Sequence, residues 1–185
     1  MTQDITSKKM EERRLVQLAQ IDSLTGLVNR AGFEQKLGAA MAASRSNNRP
    51  MALMYLDIDH FKRINDSRGH VVGDGLLKLF ASRLQRAVRA EDTVCRLGGD
   101  EFSIIVEHLT QPEIAEGIAA KIVKSMQSPF SLEGDLIEVG ASVGVAFYHG
   151  EGTEPQALIK RADEMLYQAK AMGRNTYCIA PLAPR

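Results

Sequence analysis

Four aspartates follow an apolar run in the first half of the chain: Asp57, Asp59, Asp66 and Asp74. Carboxylates at the mouth of a buried strand are well placed to hold a hard divalent cation. The spacing excludes an EF-hand calcium loop that starts at Asp57, because such a loop needs other residues where Phe61, Lys62 and Arg68 stand. Taken alone, the stretch is equally compatible with a solvated loop whose acids cap a helix.

A second cluster has the sequence GGDEF at Gly98–Phe102 and lies between two short strand-like runs. Glycines let a backbone approach a phosphate closely, because no Cβ intervenes. The adjacent acids, Asp100 and Glu101, would repel that phosphate unless a metal ion lay between them. The cluster therefore suggests a metal–nucleotide site, although Gly and Asp are also ordinary residues of a hairpin turn.

Two cations, Lys170 and Arg174, stand four residues apart at the end of the last predicted helix. Lysine and arginine in such a position could bind the terminal phosphates of a triphosphate. An isolated pair of this kind is more often a pair of solvated charges near a helix C-terminus. The pair therefore gains meaning only together with the acidic clusters.

Interleaved strands and helices must position these clusters. The apolar run 51–56 predicts a central strand buried on both faces, and the runs 93–97 and 102–107 predict a hairpin around the GGDEF turn. Residues 139–148 alternate as a strand whose small-residue face would let something bulky pack close. Helices are predicted at 30–44 with Asn29 as N-cap, at 75–89, 111–127 and 156–172, the last ended by Gly173, before a short strand at 176–179. A hairpin among helices predicts an α+β fold with helices packed on a mixed sheet.

The composition excludes several classes of protein. The 185 residues suffice for one domain, and 23 Lys plus Arg against 23 Asp plus Glu leave no basic excess of the kind that nucleic-acid surfaces show. Two cysteines, Cys95 and Cys178, are too few for a disulfide framework and favour a reducing, cytoplasmic compartment. The sequence has no apolar run long enough to span a membrane and no Walker A, Rossmann, zincin or nucleophile-elbow motif.

Four motifs in this order resemble the GGDEF family of diguanylate cyclases. They are DSLTGLVNR at 22–30, DIDHFKRINDSRGHVVGD at 57–74, RLGGDEF at 96–102 and ADEMLYQAKAMGRN at 162–175. The resemblance implies a central mixed sheet flanked by helices, similar to the core of nucleotidyl cyclases and the palm of polymerases, with the GGDEF turn on a β-hairpin. It also implies an enzyme that condenses two GTP molecules into cyclic di-GMP and releases pyrophosphate.

The resemblance further implies roles for individual residues. Asp57 and Asp100, with the carbonyl of Ile58, would bind Mg²⁺ or Mn²⁺, and Glu101 would be the companion catalytic acid. The implied substrate-binding residues are Asn65 and Asp74 for guanine, and Phe61, Lys62, Gly98, Gly99, Lys170 and Arg174 for the rest of the nucleotide. An amide and a carboxylate suit guanine, because they complement its O6, N1–H and exocyclic amine.

Two further expectations concern regulation and assembly. Arg89 and Asp92 match the family's R-x-x-D site, at which the product cyclic di-GMP binds and inhibits. Without the resemblance, these residues would be a helix-end ion pair of little energetic value. Because two GTP molecules must condense with each other, catalysis is expected in a two-fold homodimer.

The predicted organisation is a connecting helix at 1–21, a GGDEF domain at 22–180 and a tail at 181–185. The first segment resembles the exit of a PAS sensor domain, and residues 128–143 resemble GGDEF domains that precede an EAL phosphodiesterase domain. Neither a nucleic-acid polymer nor a membrane segment is expected. One alternative stays open: a catalytically silent module that binds GTP or cyclic di-GMP and regulates a neighbouring domain.

Overall fold

A mixed β-sheet forms the centre of the molecule in the computed structural model, which describes residues 2–150 and 152–182. Its strands are β1 (Met51–Ile58), β2 (Thr93–Gly98), β3 (Glu101–Val106), β6 (Ala141–Tyr148) and β7 (Tyr177–Ile179), while β4 (Phe130–Leu132) and β5 (Asp135–Ile137) form a separate hairpin. The spatial order is β2-β3-β1-β6-β7, with β6 and β7 parallel and the other pairs antiparallel. Residue 1 of the predicted connecting helix and residues 183–185 of the predicted tail lie outside the described residues.

The described residues also form six helices: α1 (Thr2–Leu18), α2 (Arg30–Asn47), α3 (Phe61–Arg68), α4 (His70–Ala87), α5 (Pro112–Met126) and α6 (Pro155–Ala171). Two apolar clusters fill the space between helices and sheet. One contains Met54 and Leu56 of β1 together with α4 and α5, and the other contains Leu53 of β1 together with α2 and α6. Strand β1 is therefore buried on both faces, as its apolar sequence predicts, and the predicted α+β fold is confirmed.

The small residues of β6 allow α6 to pack directly against the sheet. A Cβ at Gly144 would overlap the α6 backbone at Ala162 and Leu166, so only glycine permits this approach. The predicted small-residue face thus has a clear structural purpose. Because α6 ends just after Lys170, its close packing also fixes the position of that lysine relative to the strands.

The structure corrects the predicted boundaries between β1 and α4. Residues 61–68 form α3, and α4 begins at His70, earlier than the predicted start near residue 75. The Asp-, Asn- and Ser-rich sequence of α3 masks its helical character, because Phe61 is its one buried residue. Gly69, with φ 88°, separates the two helices.

The hairpin β4–β5 is absent from the sequence prediction, since three-residue strands are too short to show an alternating pattern. Arg83 of α4 anchors this hairpin. Its guanidinium lies 3.5 Å from the centroid of the Phe130 ring and donates to the carbonyl of Pro129. The contact fixes β4 against α4.

Helix α1 corresponds to the predicted connecting helix. Every side chain from residue 4 to residue 17 is exposed, including those of Ile5, Met10 and Leu15. Because its side chains are exposed, α1 gains little stability from packing on the rest of the chain. An isolated helix of this length is only marginally stable in water. Within the described residues, no helix combines the length and the apolar character needed to cross a membrane.

Candidate active site

The acidic clusters of the sequence meet at one end of the central strand. Asp57 is the penultimate residue of β1 and lies opposite Glu101 of β3 in the antiparallel register. The turn between β2 and β3 contains Gly98 and Gly99, whose φ values of 136° and 52° favour glycine. Hairpin and strand end together place Asp100 and Glu101 beside Asp57.

Asp57 is a buried carboxylate with one satisfied and one unsatisfied oxygen. The residue is 7% exposed, and its Oδ2 lies 2.5 Å from Nζ of Lys170. Its Oδ1 is buried and has no hydrogen-bond partner among the described residues. Burial raises the pKa of Asp57 to about 6; the hydrogen bond and charge of Lys170 oppose this rise, while the negative charges of Asp100 and Asp59 add to it.

The acids of the site suit a magnesium-like ion that takes some of its ligands from the protein and others from a nucleotide. Burial also raises the pKa of Asp100 above its usual range. No group of three or more His, Cys, Asp or Glu side chains in the described ranges forms a complete metal site. Mg²⁺ commonly takes one or two carboxylates and completes its shell with water and substrate phosphates. The unsatisfied Oδ1 of Asp57 and the carboxylate of Asp100 are donors of the type that such an ion takes, and Ile58 lines the same cleft.

Asp59 has a different role, although it belongs to the same acidic run. Its Oδ1 accepts a hydrogen bond from Oγ of Ser142 at 2.6 Å, and its Oδ2 accepts one from the backbone N–H of Asn175 at 2.8 Å. The carboxylate is therefore occupied by protein donors. It fastens the segment after α6, which carries Arg174, to strand β6.

A cleft of about 620 Å³ lies in front of these acids. Ten of the residues implied by the resemblance line it: Asp57, Ile58, Phe61, Lys62, Asn65, Gly99, Asp100, Glu101, Lys170 and Arg174. Gly98 and Asp74 lie outside this lining in the part of the chain that the structure describes, Gly98 at the end of β2 and Asp74 exposed in the first turns of α4. The cleft has the size of a small-molecule site.

Asn65 projects between α3 and α4 at the rim of the cleft. A Cβ at Gly73 would overlap Oδ1 of Asn65, so a larger residue there would force the asparagine side chain to move. The Oδ1 atom is buried and lacks a hydrogen-bond partner among the described residues. A buried acceptor without a partner is costly unless a ligand or water satisfies it.

The hairpin turn is held from behind by residues to which the sequence analysis gives no role. Arg96 donates from Nε to the carbonyl of Gly99 at 2.9 Å and from a terminal nitrogen to Oδ1 of Asp22 at 2.9 Å. The other oxygen of Asp22 accepts from the backbone N–H and the hydroxyl of Thr25. Burial alone would raise the pKa of Asp22, but the hydrogen bonds from Thr25 and Arg96 and the arginine charge lower it. The motifs at 22–30 and 96–102 contain these residues, and only the fold shows that they meet.

Arg89 and Asp92 form a tight pair in the loop between α4 and β2, away from the cleft. Arg89 donates from Nε and from one terminal nitrogen to the two oxygens of Asp92, at 3.1 and 2.7 Å, and also to the carbonyl of Glu107. The side chains are 27% and 0% exposed, so the pair is far less solvated than an ordinary surface ion pair. The hydrogen bond with Asp92 raises the pKa of Arg89.

Comparison with known proteins decides what this site belongs to. Residues 19–176 match the family described as "Diguanylate cyclase, GGDEF domain". The chain belongs to the GGDEF family. The resemblance seen in the four motifs is thereby confirmed. The cleft described above lies at the end of the central strand of a GGDEF domain.

Curated relatives of this GGDEF domain carry names of both synthesis and breakdown of cyclic di-GMP. MucR of Pseudomonas aeruginosa, a bifunctional diguanylate cyclase/cyclic di-GMP phosphodiesterase, is 40% identical over 94% of this chain and 25% of its own. Diguanylate cyclase TpbB of the same organism is 38% identical over 93% of this chain and 40% of its own. Cyclic di-GMP phosphodiesterase NbdA, also from that organism, is 42% identical over 87% of this chain and 20% of its own. The chain thus spans between a fifth and two fifths of the length of these relatives.

Solved structures agree with the fold. The GGDEF domain of TpbB superimposes with a TM-score of 0.83 and 38% identity, covering 88% of this chain and 95% of that chain. The coiled coil and GGDEF domain of DgcB from Caulobacter crescentus, in complex with c-di-GMP, gives a TM-score of 0.85 at 28% identity, covering 97% and 95%. The predicted fold class is therefore confirmed at high similarity.

Proposed function

We propose that this GGDEF domain is a diguanylate cyclase that condenses two GTP molecules into cyclic di-GMP and two pyrophosphates. One observation supports the proposal most strongly. The cleft at the end of β1 combines Asp57 and Asp100, two acids suited to a metal, with Lys170 and Arg174, two cations suited to a triphosphate. The names of MucR and TpbB support the same activity.

The reaction joins a ribose 3′-oxygen of one GTP to the α-phosphorus of the other and expels pyrophosphate. A divalent cation bound to Asp57, Asp100 and the Ile58 carbonyl would lower the pKa of the hydroxyl and neutralise negative charge on the phosphates. The chain itself binds and orients the substrate. Lys62, Lys170 and Arg174 would contact the phosphates. Gly99, at a positive φ in the turn, has no Cβ and therefore leaves room for a phosphate to approach the turn backbone.

Glu101 differs from the other two acids of the site. Its side chain is 62% exposed and lies 3.9 Å from Arg30, too far for a tight ion pair. It lines the cleft at its open edge. We propose that Glu101 is a companion acid whose negative charge strengthens the binding of a cation at the site.

Guanine recognition is proposed for Asn65 and Asp74, and it gives a measurable prediction. Asn65→Ala is expected to lower kcat/KM for GTP by about ten- to a hundredfold, because an unpaired polar group in a desolvated pocket costs about 1–3 kcal/mol. Asp74→Ala should have a smaller effect, because Asp74 is exposed and lies outside the cleft lining. The wild type should consume GTP far faster than ATP, since adenine presents the opposite hydrogen-bonding polarity at this edge. Initial rates with both nucleotides measure the effect.

Ser67→Ala is the matched control for guanine recognition, because Ser67 is exposed on α3 and bonds only to the carbonyl of Ile64 in the described structure. Its kcat/KM should equal that of the wild type. Comparable rates with ATP and GTP in the wild type would remove guanine recognition from the proposal.

Product inhibition at Arg89 and Asp92 is part of the proposal and gives a second prediction. Arg89→Ala should raise the cyclic di-GMP concentration needed for half inhibition by about tenfold or more, because a guanidinium fork is the main donor for a phosphate or guanine edge. The initial rate without product should stay unchanged, since Arg89 does not line the cleft.

Arg86→Ala is the control for product inhibition. Arg86 lies in the last turn of α4, three residues before Arg89, and bonds to Ser82, one turn away. Titration of product into the three proteins gives the comparison, with thermal unfolding to verify the fold. Equal inhibition of wild type and Arg89→Ala would mean that the pair is only a structural ion pair.

A catalytically silent module is the second candidate, and the name of NbdA favours it, since that relative is called a phosphodiesterase. Such a module would bind GTP or cyclic di-GMP and regulate a neighbouring domain.

For either candidate, we also propose a fused PAS-type sensor before the domain at 22–180, an EAL domain after it, and a cytoplasmic location where GTP is available.

Incubation with GTP and Mg²⁺ followed by nucleotide chromatography separates the two candidates. A cyclic di-GMP peak is the result that the cyclase proposal predicts. Nucleotide that co-elutes with the protein and is recovered unchanged would favour the silent module.

A further inference from the structure

Lys170 makes a contact that its proposed phosphate-binding part does not explain. Its ammonium lies 2.5 Å from Oδ2 of Asp57, in the last turn of α6. Asp57 is also the first ligand proposed for the divalent cation. The same lysine is therefore committed to the metal ligand in this structure and to the triphosphate in the proposed reaction.

Lysine and metal compete for one carboxylate. The free oxygen of Asp57, Oδ1, is on the same carboxylate as the lysine-bound Oδ2, so an ion on Oδ1 would lie only a few ångströms from the ammonium. Two cations at such a distance repel strongly in a partly buried site. A divalent cation is thus disfavoured at Asp57 while Lys170 remains there.

The lysine has the freedom to leave. Its side chain is 35% exposed, whereas that of Asp57 is 10% exposed, so the lysine reaches into the site from solvent on a flexible four-carbon stem. Lys170 forms no other ion pair in the described part of the chain. A triphosphate in the adjacent cleft offers several negative charges to the same ammonium.

We propose that Lys170 is an exchangeable counter-ion: it occupies Asp57 in the nucleotide-free domain and gives Asp57 up to the metal when a triphosphate binds the ammonium. The inference rests on the proposed function for the identity of the metal ligand and the nucleotide. It makes metal and nucleotide binding cooperative, because each removes an obstacle to the other, and such a coupling is reciprocal. Lys170 then acts as a positioning residue for the metal as well as a phosphate ligand.

Mn²⁺ binding without nucleotide tests the exchange directly, with the loss of the free-ion electron paramagnetic resonance signal as readout. Lys170→Met keeps the apolar stem and removes the charge. It should bind Mn²⁺ at least tenfold more tightly than the wild type, a difference of about 1.4 kcal/mol. The double variant D57N/K170M should lose this tight site, which would locate the ion at Asp57.

The control is Arg174→Met, because Arg174 lines the same cleft but forms no ion pair among the described residues. It should leave nucleotide-free Mn²⁺ affinity within about twofold of the wild type, because Arg174 does not contact Asp57. A nonspecific effect of removing one positive charge from the cleft would instead raise the Mn²⁺ affinity of both variants. Thermal unfolding of each variant verifies the fold.

The order of affinities should reverse when nucleotide is present. With saturating 3′-deoxy-GTP, which lacks the attacking hydroxyl, the wild type should bind Mn²⁺ more tightly than Lys170→Met, because only the wild type can hold the triphosphate through the ammonium. A merely structural lysine would not produce a change of sign.

Three results would overturn the inference. These are equal Mn²⁺ affinity of wild type and Lys170→Met without nucleotide, an equal gain in Arg174→Met, and persistence of the tight site in D57N/K170M. The outcome is separate from that of the proposed function. A protein that shows the exchange but makes no cyclic di-GMP would refute the cyclase and leave the counter-ion role standing.

Discussion

Asp100→Ala is expected to lower cyclic di-GMP synthesis by about a thousandfold or more, because a carboxylate that holds charge-neutralising metal at the reacting phosphate has effects of this order. The unfolding temperature should change little. Asp100 is in a tight turn outside both apolar clusters, and the turn is fixed by Arg96 through the carbonyl of Gly99. Initial rates at saturating Mg²⁺ and GTP give the measurement.

Two acids of the run 57–74, Asp66 and Asp59, serve as comparisons for Asp100. Asp66→Ala should retain full activity, because Asp66 is exposed on α3 and does not line the cleft. Asp59→Asn should lower stability as well as activity, because it disturbs the hydrogen bonds with Ser142 and Asn175. If Asp100→Ala kept a tenth of the wild-type rate, Asp100 would not be a metal ligand.

Dilution should lower the specific activity of this chain nearly in proportion, by about a hundredfold for a hundredfold dilution in the monomeric range, because two domains must meet. A single cleft of about 620 Å³ accommodates one nucleotide, whereas the product contains two. The simplest arrangement places two domains about a two-fold axis, with each 3′-hydroxyl facing the other α-phosphate.

A fused coiled coil provides the complementary experiment. Helix α1 is exposed along its described side chains and too short for a strong dimer alone. A strong parallel coiled coil placed before Ser7, in a suitable register, should raise the rate by about a hundredfold at low protein concentration through effective concentration. Light scattering reports the oligomeric state in the same samples. A specific activity independent of concentration, in a protein shown to stay monomeric, would refute the two-domain mechanism.

Local sequence patterns predicted most of the fold. The apolar run of β1 indicated a strand buried on both faces, and the structure places it at the centre of the sheet. Asn29 is the N-cap of α2, where its side chain accepts from the N–H of Gly32. These features depend on neighbours in the sequence, so a linear pattern carries them.

The parts that sequence could not supply depend on distant residues. The contact of Lys170 with Asp57 joins positions more than a hundred residues apart, and the bond of Arg96 with Asp22 joins a hairpin to the segment after α1. Motifs contained all four residues, but their pairing depends on the fold. The contact of Lys170 with Asp57 follows from the packing of α6 on Gly144, and that of Arg96 with Asp22 from the bridge between Val28 and Cys95. Helix α3 was hidden for another reason, since polar residues on a short exposed helix resemble a loop.

Synthesis of cyclic di-GMP from GTP has a fixed stoichiometry, and one experiment on this domain measures it. Concentrated wild-type protein is incubated with GTP and Mg²⁺, and cyclic di-GMP and pyrophosphate are measured in the same samples over time, with Asp100→Ala as the blank. Two GTP should be consumed and two pyrophosphates released for each cyclic di-GMP formed, with no product from the variant. Recovery of GTP unchanged from properly folded wild type at high concentration would contradict the proposed synthesis.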